Sequence, residues 1–137
     1  MPTVLITGCS SGIGRALADA FRDAGHDVWA TARKAEDVER LATAGFIARQ
    51  LDVNDGAALV RLAEELQTHH GRLDILINNA GYGAMGPLLD GGVDALRPQF
   101  ETNVFAVVGV TRALFPLLRR SRGLVVNIGS VSGVLVT

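Results

Sequence analysis

Thr7-Gly8-Cys9-Ser10-Ser11-Gly12-Ile13-Gly14 follows the short apolar run Thr3-Val4-Leu5-Ile6 and opens a segment with helical apolar spacing. Strand, glycine-rich turn and helix, in that order, form the arrangement that takes the pyrophosphate of a dinucleotide. Gly8 permits the tight turn out of the strand. Gly12 lets the backbone approach the phosphates with no Cβ in the way, and Gly14 lets the helix pack closely on the strand. The free N–H groups of the helix's first turn and its positive dipole end then face the anion. Ser10 and Ser11 add hydroxyl donors. Three residues separate the first two glycines, giving T-G-x-x-x-G-x-G where the plain fingerprint is G-x-G-x-x-G.

Working outward from this turn, strand and helix patterns alternate to the end of the chain. The spacing predicts a helix over residues 12–24 with Ile13, Leu17, Ala20, Phe21 and Ala24 as its buried stripe and Gly25 as its stop. Val28-Trp29-Ala30-Thr31 reads as the second strand, with Trp29 in the core. Residues 35–44 read as a short helix with Val38 and Leu41 inward, stopped by Gly45. Residues 46–51 are the third strand, closed by Asp52-Val53. Asn54 or Asp55 caps the next helix, whose stripe is Leu59, Leu62, Ala63 and Leu66. Leu73-Asp74-Ile75-Leu76-Ile77 is the fourth strand and runs into Asn78-Asn79-Ala80-Gly81, where two asparagines can tie neighbouring strands together. Residues 82–92 read as a loop. Residues 94–120 read as a long helix with Phe100, Val104, Val107, Val108, Thr111 and Phe115 in period, and Pro116 kinking it or ending its regular part. Leu124-Val125-Val126-Asn127-Ile128 is the fifth strand.

Near-continuous apolar strands suit a parallel sheet covered on both faces, and right-handed crossovers make it doubly wound. The expected fold is therefore α/β: one dinucleotide-binding Rossmann domain over residues 1–137, with strand order 3-2-1-4-5. In 137 residues the net charge is −1, which implies neither nucleic acid nor an acidic membrane surface as a partner. The single cysteine excludes an internal disulfide and fits a reducing compartment. The N-terminus reads as a strand without a basic region, so no signal peptide is expected, and no apolar run reads as a membrane span. The expected location is cytoplasmic.

The end of the second strand bears on the cofactor. A carboxylate there favours the free ribose hydroxyls of NAD, whereas a cation favours the 2′-phosphate of NADP. The sequence is Thr31-Ala32-Arg33-Lys34, with two cations and no carboxylate. NADP(H) is therefore preferred over NAD(H), the alternative being that both cations belong to a solvated loop.

Thr7-Gly8…Gly12-Ile13-Gly14, Asp52-Val53, Asn78-Asn79-Ala80-Gly81, Thr102-Asn103-Val104 and Val126-Asn127-Ile128-Gly129-Ser130 occur in the order and spacing of a classical short-chain dehydrogenase/reductase, which the whole chain resembles. The resemblance implies a pyrophosphate site over Gly8, Ser10, Ser11, Gly12, Ile13 and Gly14, and a 2′-phosphate contact at Arg33. It implies that Asp52, with Val53 beside it, meets the adenine, and that Asn79, Ala80 and Gly81 flank the adenosine ribose. It implies Asn103 as the helix residue that holds a catalytic water and Ser130 as the group that polarises a substrate carbonyl, with Ser132 the competing serine. The implied reaction is hydride transfer between nicotinamide and a small-molecule carbonyl or secondary alcohol. The implied full-length assembly is a dimer or tetramer built on the long helix and a later one.

The family's acid–base tyrosine, with a lysine four residues on, should follow Ser130. The sole tyrosine here is Tyr82 and the sole lysine is Lys34. The expectation is a chain that holds the cofactor part of the domain and stops after strand five, with Leu135-Val136-Thr137 lacking a cap or covering element. These residues alone are expected to be inactive, a non-catalytic binding module being the alternative reading. Cys9 reads as a neutral filler, adjacent His69 and His70 point apart with no metal site expected, and Arg119, Arg120 and Arg122 read as a dipole-matched helix end. Tyr82 and Met85 are placed at the cleft mouth by the resemblance.

Overall fold

The computed structural model describes residues 1–135. Its strands are β1 (Thr3–Ile6), β2 (Asp27–Ala32), β3 (Ile47–Gln50), β4 (Ile75–Asn78) and β5 (Leu124–Asn127). Its helices are α1 (Gly12–Asp23), α2 (Ala35–Thr43), α3 (Gly56–His69), α4 (Leu88–Phe100) and α5 (Ala106–Ser121), with a π-helical turn over Glu101–Phe105 joining the last two. A short 3₁₀ turn covers Val131–Gly133. All strand pairs are parallel, in the order β3-β2-β1-β4-β5, a doubly wound α/β sheet as the alternation of elements predicted. Of the terminal stretch Leu135-Val136-Thr137, the last two residues lie outside the described ones.

Alternation along the central strands builds two cores. Val4, Ile6, Val28, Ala30 and Ile77 pack with Ala18 of α1 and Leu41 of α2 on one face. Leu5, Trp29 and Leu76 pack with Leu59, Leu62 and Leu66 of α3 and Val110, Leu114 and Leu117 of α5 on the other. The period-two geometry of a strand forces this division, and it needs apolar residues at every central position.

The readings of α1, α4 and α5 are corrected. In α1 the buried residues are Gly14 and Ala18, with Leu17 and Phe21 partly buried against them, while Ile13 is 59% exposed and Ala20 and Ala24 are exposed. The stripe lies one position further on, because small residues rather than Ile13 face the sheet where the helix approaches it closely. Residues 82–92 are not wholly loop: α4 begins at Leu88 and is broken at Gly92, whose φ of 61° no helix interior accommodates. Pro116 neither ends nor interrupts α5, which continues to Ser121. The buried positions of α5 are Ala106, Val110, Leu114, Leu117 and Leu118; of the residues expected in period, Phe100, Val104, Val108 and Phe115 are exposed, while Val107 and Thr111 are partly buried. This segment is apolar on two faces, so periodicity alone does not identify the inward one.

The absence of a membrane span is likewise not what length and composition give. Leu89–Ser121 is a 33-residue helical stretch long and apolar enough to cross a membrane by those measures. One of its faces packs here on the sheet.

At the N-terminal edge of the sheet, Asp74 accepts from the Thr3 N–H at 2.8 Å and pairs with Arg72. Burial pushes its carboxyl pKa up, but the Arg72 guanidinium and the Thr3 amide outweigh burial and hold it below the ordinary carboxylate range. A carboxylate whose folded pKa is lowered stabilises the fold above its unfolded pKa and ceases to as pH falls through the folded value. Asp74→Asn should therefore cost about 1–2 kcal/mol at neutral pH. In urea melts the gap between variant and parent should close as pH falls below about 4. A gap that does not change with pH would assign the loss to packing alone.

Candidate functional site

The site lies at the carboxyl ends of β1, β2 and β4, next to the β1/β4 boundary where the strand order reverses. Open α/β sheets leave their crevice at this point. Gly8 leaves β1 with φ +70°, and Gly12 opens α1 with φ +61° and no atom within 4 Å of the Cβ it lacks. Ser11 is the N-cap in extended conformation, its side chain makes no cap hydrogen bond, and the first turn carries no acidic residue. The unpaired amides and the dipole at this end are thus uncompensated by the protein. This open cradle fits a diphosphate.

Asn79 fixes the turn from behind. Its Nδ2 donates to Gly8 O at 2.9 Å and to Thr7 O at 3.2 Å. The Thr7 hydroxyl accepts from the amides of Asn79 at 3.1 Å and Ala80 at 3.0 Å. The β1 and β4 loops are therefore stitched to each other across a 72-residue separation. Asn78 performs the matching task one strand over: its Nδ2 donates to Asn127 Oδ1 at 2.9 Å and to Thr111 Oγ1 at 3.1 Å, joining β4 to β5 and α5.

A cleft of about 220 Å³ opens beside this stitching. Gly8 and Ser10 from the first loop, Ala32 at the end of β2 with Arg33 from the second loop, Asp52 and Val53 from the third, and Ala80 and Gly81 from the fourth line it. Four loops that are remote in sequence thus bring seven of the twelve expected cofactor residues to one cavity. Ser11, Gly12, Ile13 and Gly14 lie at the α1 terminus, and Asn79 lies behind the turn. Asp52 takes the Asn54 amide on Oδ1 at 2.9 Å, and Asn54 Nδ2 donates to Thr102 Oγ1 at 2.9 Å. Asp55 caps α3 by accepting from the Ala58 amide at 3.1 Å.

The two expected catalytic residues are held separately. Asn103 sits in the π-helical turn, a feature that often marks functional positions. Its Oδ1 accepts from the Tyr82 amide at 3.0 Å and its Nδ2 donates to Tyr82 O at 2.7 Å. Both ends of its side-chain amide are therefore engaged with the main chain beyond Gly81. Ser130 is exposed beyond β5, and its Oγ accepts from the Ser132 amide at 3.2 Å.

Sequence alone points to no site role for Thr7, Thr102 or Thr111, which all make side-chain bonds here. Thr7 stands inside the quoted motif, but its role depends on partners more than 70 positions away. Cys9 is fully buried, its thiol donates to Ile6 O at 3.2 Å, and burial pushes its pKa up to about 12, so it is a neutral packing group. His70 Nε2 accepts from the Trp29 indole N–H at 2.9 Å, which gives one of the adjacent histidines a structural task. Arg120 reaches Gln67 Oε1 at 2.7 Å, so the basic end of α5 is tied to α3 as well as matched to the dipole.

The sequence profile of the family described as short chain dehydrogenase matches residues 2–136. The short-chain dehydrogenase cctT of Talaromyces islandicus is 38% identical over 139 residues, covering 99% of this chain and 49% of that protein. The NADPH-dependent 1-acyldihydroxyacetone phosphate reductase of Schizosaccharomyces pombe is 37% identical over 130 residues, covering 93% and 44% respectively. A crystal structure of a short-chain dehydrogenase from Streptomyces avermitilis superposes with a TM-score of 0.90 at 40% identity, over 98% of this chain and 51% of that one. The chain thus spans about half the length of the curated relatives it matches. With the profile matched almost end to end and the sheet order and crevice in place, the chain belongs to the short-chain dehydrogenase family.

Proposed function

We propose that this chain provides the dinucleotide-binding part of an NADP(H)-dependent oxidoreductase acting on a small-molecule carbonyl or secondary alcohol. The observation that carries the proposal is the convergence of Gly8, Arg33, Asp52, Val53, Ala80 and Gly81 on one cleft beside the open α1 terminus. When bound, the nicotinamide supplies or accepts the hydride. The α1 amides, with Ser10 and Ser11, hold the pyrophosphate. Asp52 keeps one carboxylate oxygen on Asn54 and offers the other to the adenine amino group. Arg33 meets the 2′-phosphate, and the NADPH dependence named for the Schizosaccharomyces pombe relative supports that choice. Ser130 donates to the substrate oxygen and polarises the carbonyl. Asn103, clamped in the π turn by its two bonds to the Tyr82 main chain, holds the catalytic water.

Residues 1–137 contain no Tyr-x-x-x-Lys sequence, since Tyr82 is the sole tyrosine and Lys34 the sole lysine. These residues alone bind without turning over. Turnover draws its proton donor from a tyrosine outside them, and a non-catalytic binding module is the competing reading. The protein works in the cytoplasm as a dimer or tetramer, with the exposed apolar face of Phe100, Val104, Val108 and Phe115 supporting assembly on the long helix.

The test is a titration of the full-length protein with NADPH and NADH, followed by a panel of ketones with the preferred nucleotide. Tighter NADPH binding with ketone-dependent loss of reduced nicotinamide is expected. Binding without turnover would favour the module, and no saturable binding of either nucleotide would end both readings.

A further inference from the structure

A second and larger cavity of about 570 Å³ adjoins the adenosine cleft. The two share Arg33, Tyr82 and Thr102 in their linings, and the larger adds Asn54, Arg97 and Glu101. Its wall is braced, because Asn54 joins Thr102 of the π turn to Asp52 of the adenosine cleft. Ion pairs engage Arg15, Arg22, Arg40, Arg49 and Arg72. Among the described residues, neither Arg33 nor Arg97 has a side-chain partner of its own. Two unengaged guanidinium groups on one cavity, with a single carboxylate beside them, give it a positive balance, and no ion pair joins these three among the described residues.

We propose that Arg97 is a second cation for the adenosine 2′-phosphate, acting with Arg33 from the opposite element of this cavity. The inference rests on the NADP(H) reading above and adds to it a residue outside the glycine-rich turn and the β2 end. A phosphate monoester is close to a dianion at neutral pH and offers three acceptor oxygens, more than one guanidinium fork can occupy. Arg33 comes from the loop after β2 and Arg97 from the last turn of α4, so two separate elements each bring a donor to the one cavity. Glu101 works against the same anion. Its removal should tighten binding of the phosphorylated nucleotide, whereas a cavity built to receive a cation would weaken.

The test uses the full-length protein with four probes: NADPH, NADH, adenosine 2′,5′-bisphosphate and adenosine 5′-monophosphate. Arg97→Ala should raise the Kd of NADPH and of the bisphosphate about tenfold, and leave NADH and the monophosphate within about twofold. Arg97→Lys should recover part of the loss, because it restores charge but not the fork. Glu101→Gln should tighten the phosphorylated pair by about two- to threefold. Arg97 is exposed, so thermal melting of its variants should match the parent. Equal weakening of NADPH and NADH would overturn the proposal in favour of stacking on the adenine, and no change in any probe would overturn it outright. A parent protein that binds NADPH no better than NADH would instead bring down the NADP(H) reading beneath it.

Discussion

Gly14→Ala should abolish dinucleotide binding and cost the fold about 3 kcal/mol, the upper part of the range for forcing atoms into a packed site. A Cβ on Gly14 would stand 2.2 Å from Gly8 O, 2.5 Å from Asn79 Nδ2 and 3.0 Å from Gly8 C. Two of these three atoms are main chain of the phosphate turn, and the third is the amide that holds it. No rotamer change relieves the contact. Either α1 lifts from β1 or Gly8 moves, and moving Gly8 breaks the 2.9 Å bond from Asn79 and misplaces the cradle. Gly12 offers the contrast. Nothing lies within 4 Å of its missing Cβ, but its φ is +61°. Gly12→Ala should therefore cost only about 1–2 kcal/mol of backbone strain while blocking the approach of phosphate. Urea melts and NADPH titrations of the two variants separate the effects: Gly14→Ala loses stability and binding together, and Gly12→Ala loses chiefly binding. A Gly14→Ala protein that melts with the parent and still binds NADPH would show that helix and strand are not in the contact described.

The same pair explains what the sequence could and could not reveal. The need for glycine at positions 8, 12 and 14 is local, because a turn from strand to helix imposes it within eight residues, and it was readable. So was the doubly wound sheet, since Val4-Leu5-Ile6, Val28-Trp29-Ala30 and Leu76-Ile77 are apolar on both faces, which only a covered parallel sheet tolerates. The inward face of α5 was not readable. Val104, Val108 and Phe115 hold helical period as well as Val110, Leu114 and Leu117 do, and only the position of the sheet decides between them. Ile13 misleads for a related reason: an apolar side chain fits a stripe equally well whether it faces the core or, as here, is exposed. The clamp of Asn103 on Tyr82 and the grip of Thr7 on Asn79 and Ala80 span 21 and more than 70 positions. No periodicity encodes such partners; they follow from strand order, and family resemblance supplies the residues without their geometry.

Arg33→Ala should weaken NADPH about 30-fold and leave NADH within about twofold, and Arg33→Asp should invert the preference. Arg33 is exposed at the end of β2, and its main-chain carbonyl is fixed by Gln50 Nε2 at 2.9 Å. Its backbone is thus held by β3 while its side chain carries no ion pair among the described residues. A guanidinium that is free in the apoprotein gives up no partner when it meets phosphate, so most of a charge-assisted bond appears as affinity. Lys34 is a weaker candidate: it is the N-cap of α2 and lies outside both cavity linings. Lys34→Ala should therefore change NADPH affinity by no more than about threefold. Ionic strength gives an independent check. The parent's preference for NADPH over NADH should narrow as salt screens the pair, and the residual preference of Arg33→Ala should respond to salt less steeply, because one cation fewer faces the phosphate. If Arg33→Ala weakened both nucleotides equally, the side chain would be acting on the shared adenosine. The cofactor preference would then have to come from elsewhere in the cleft.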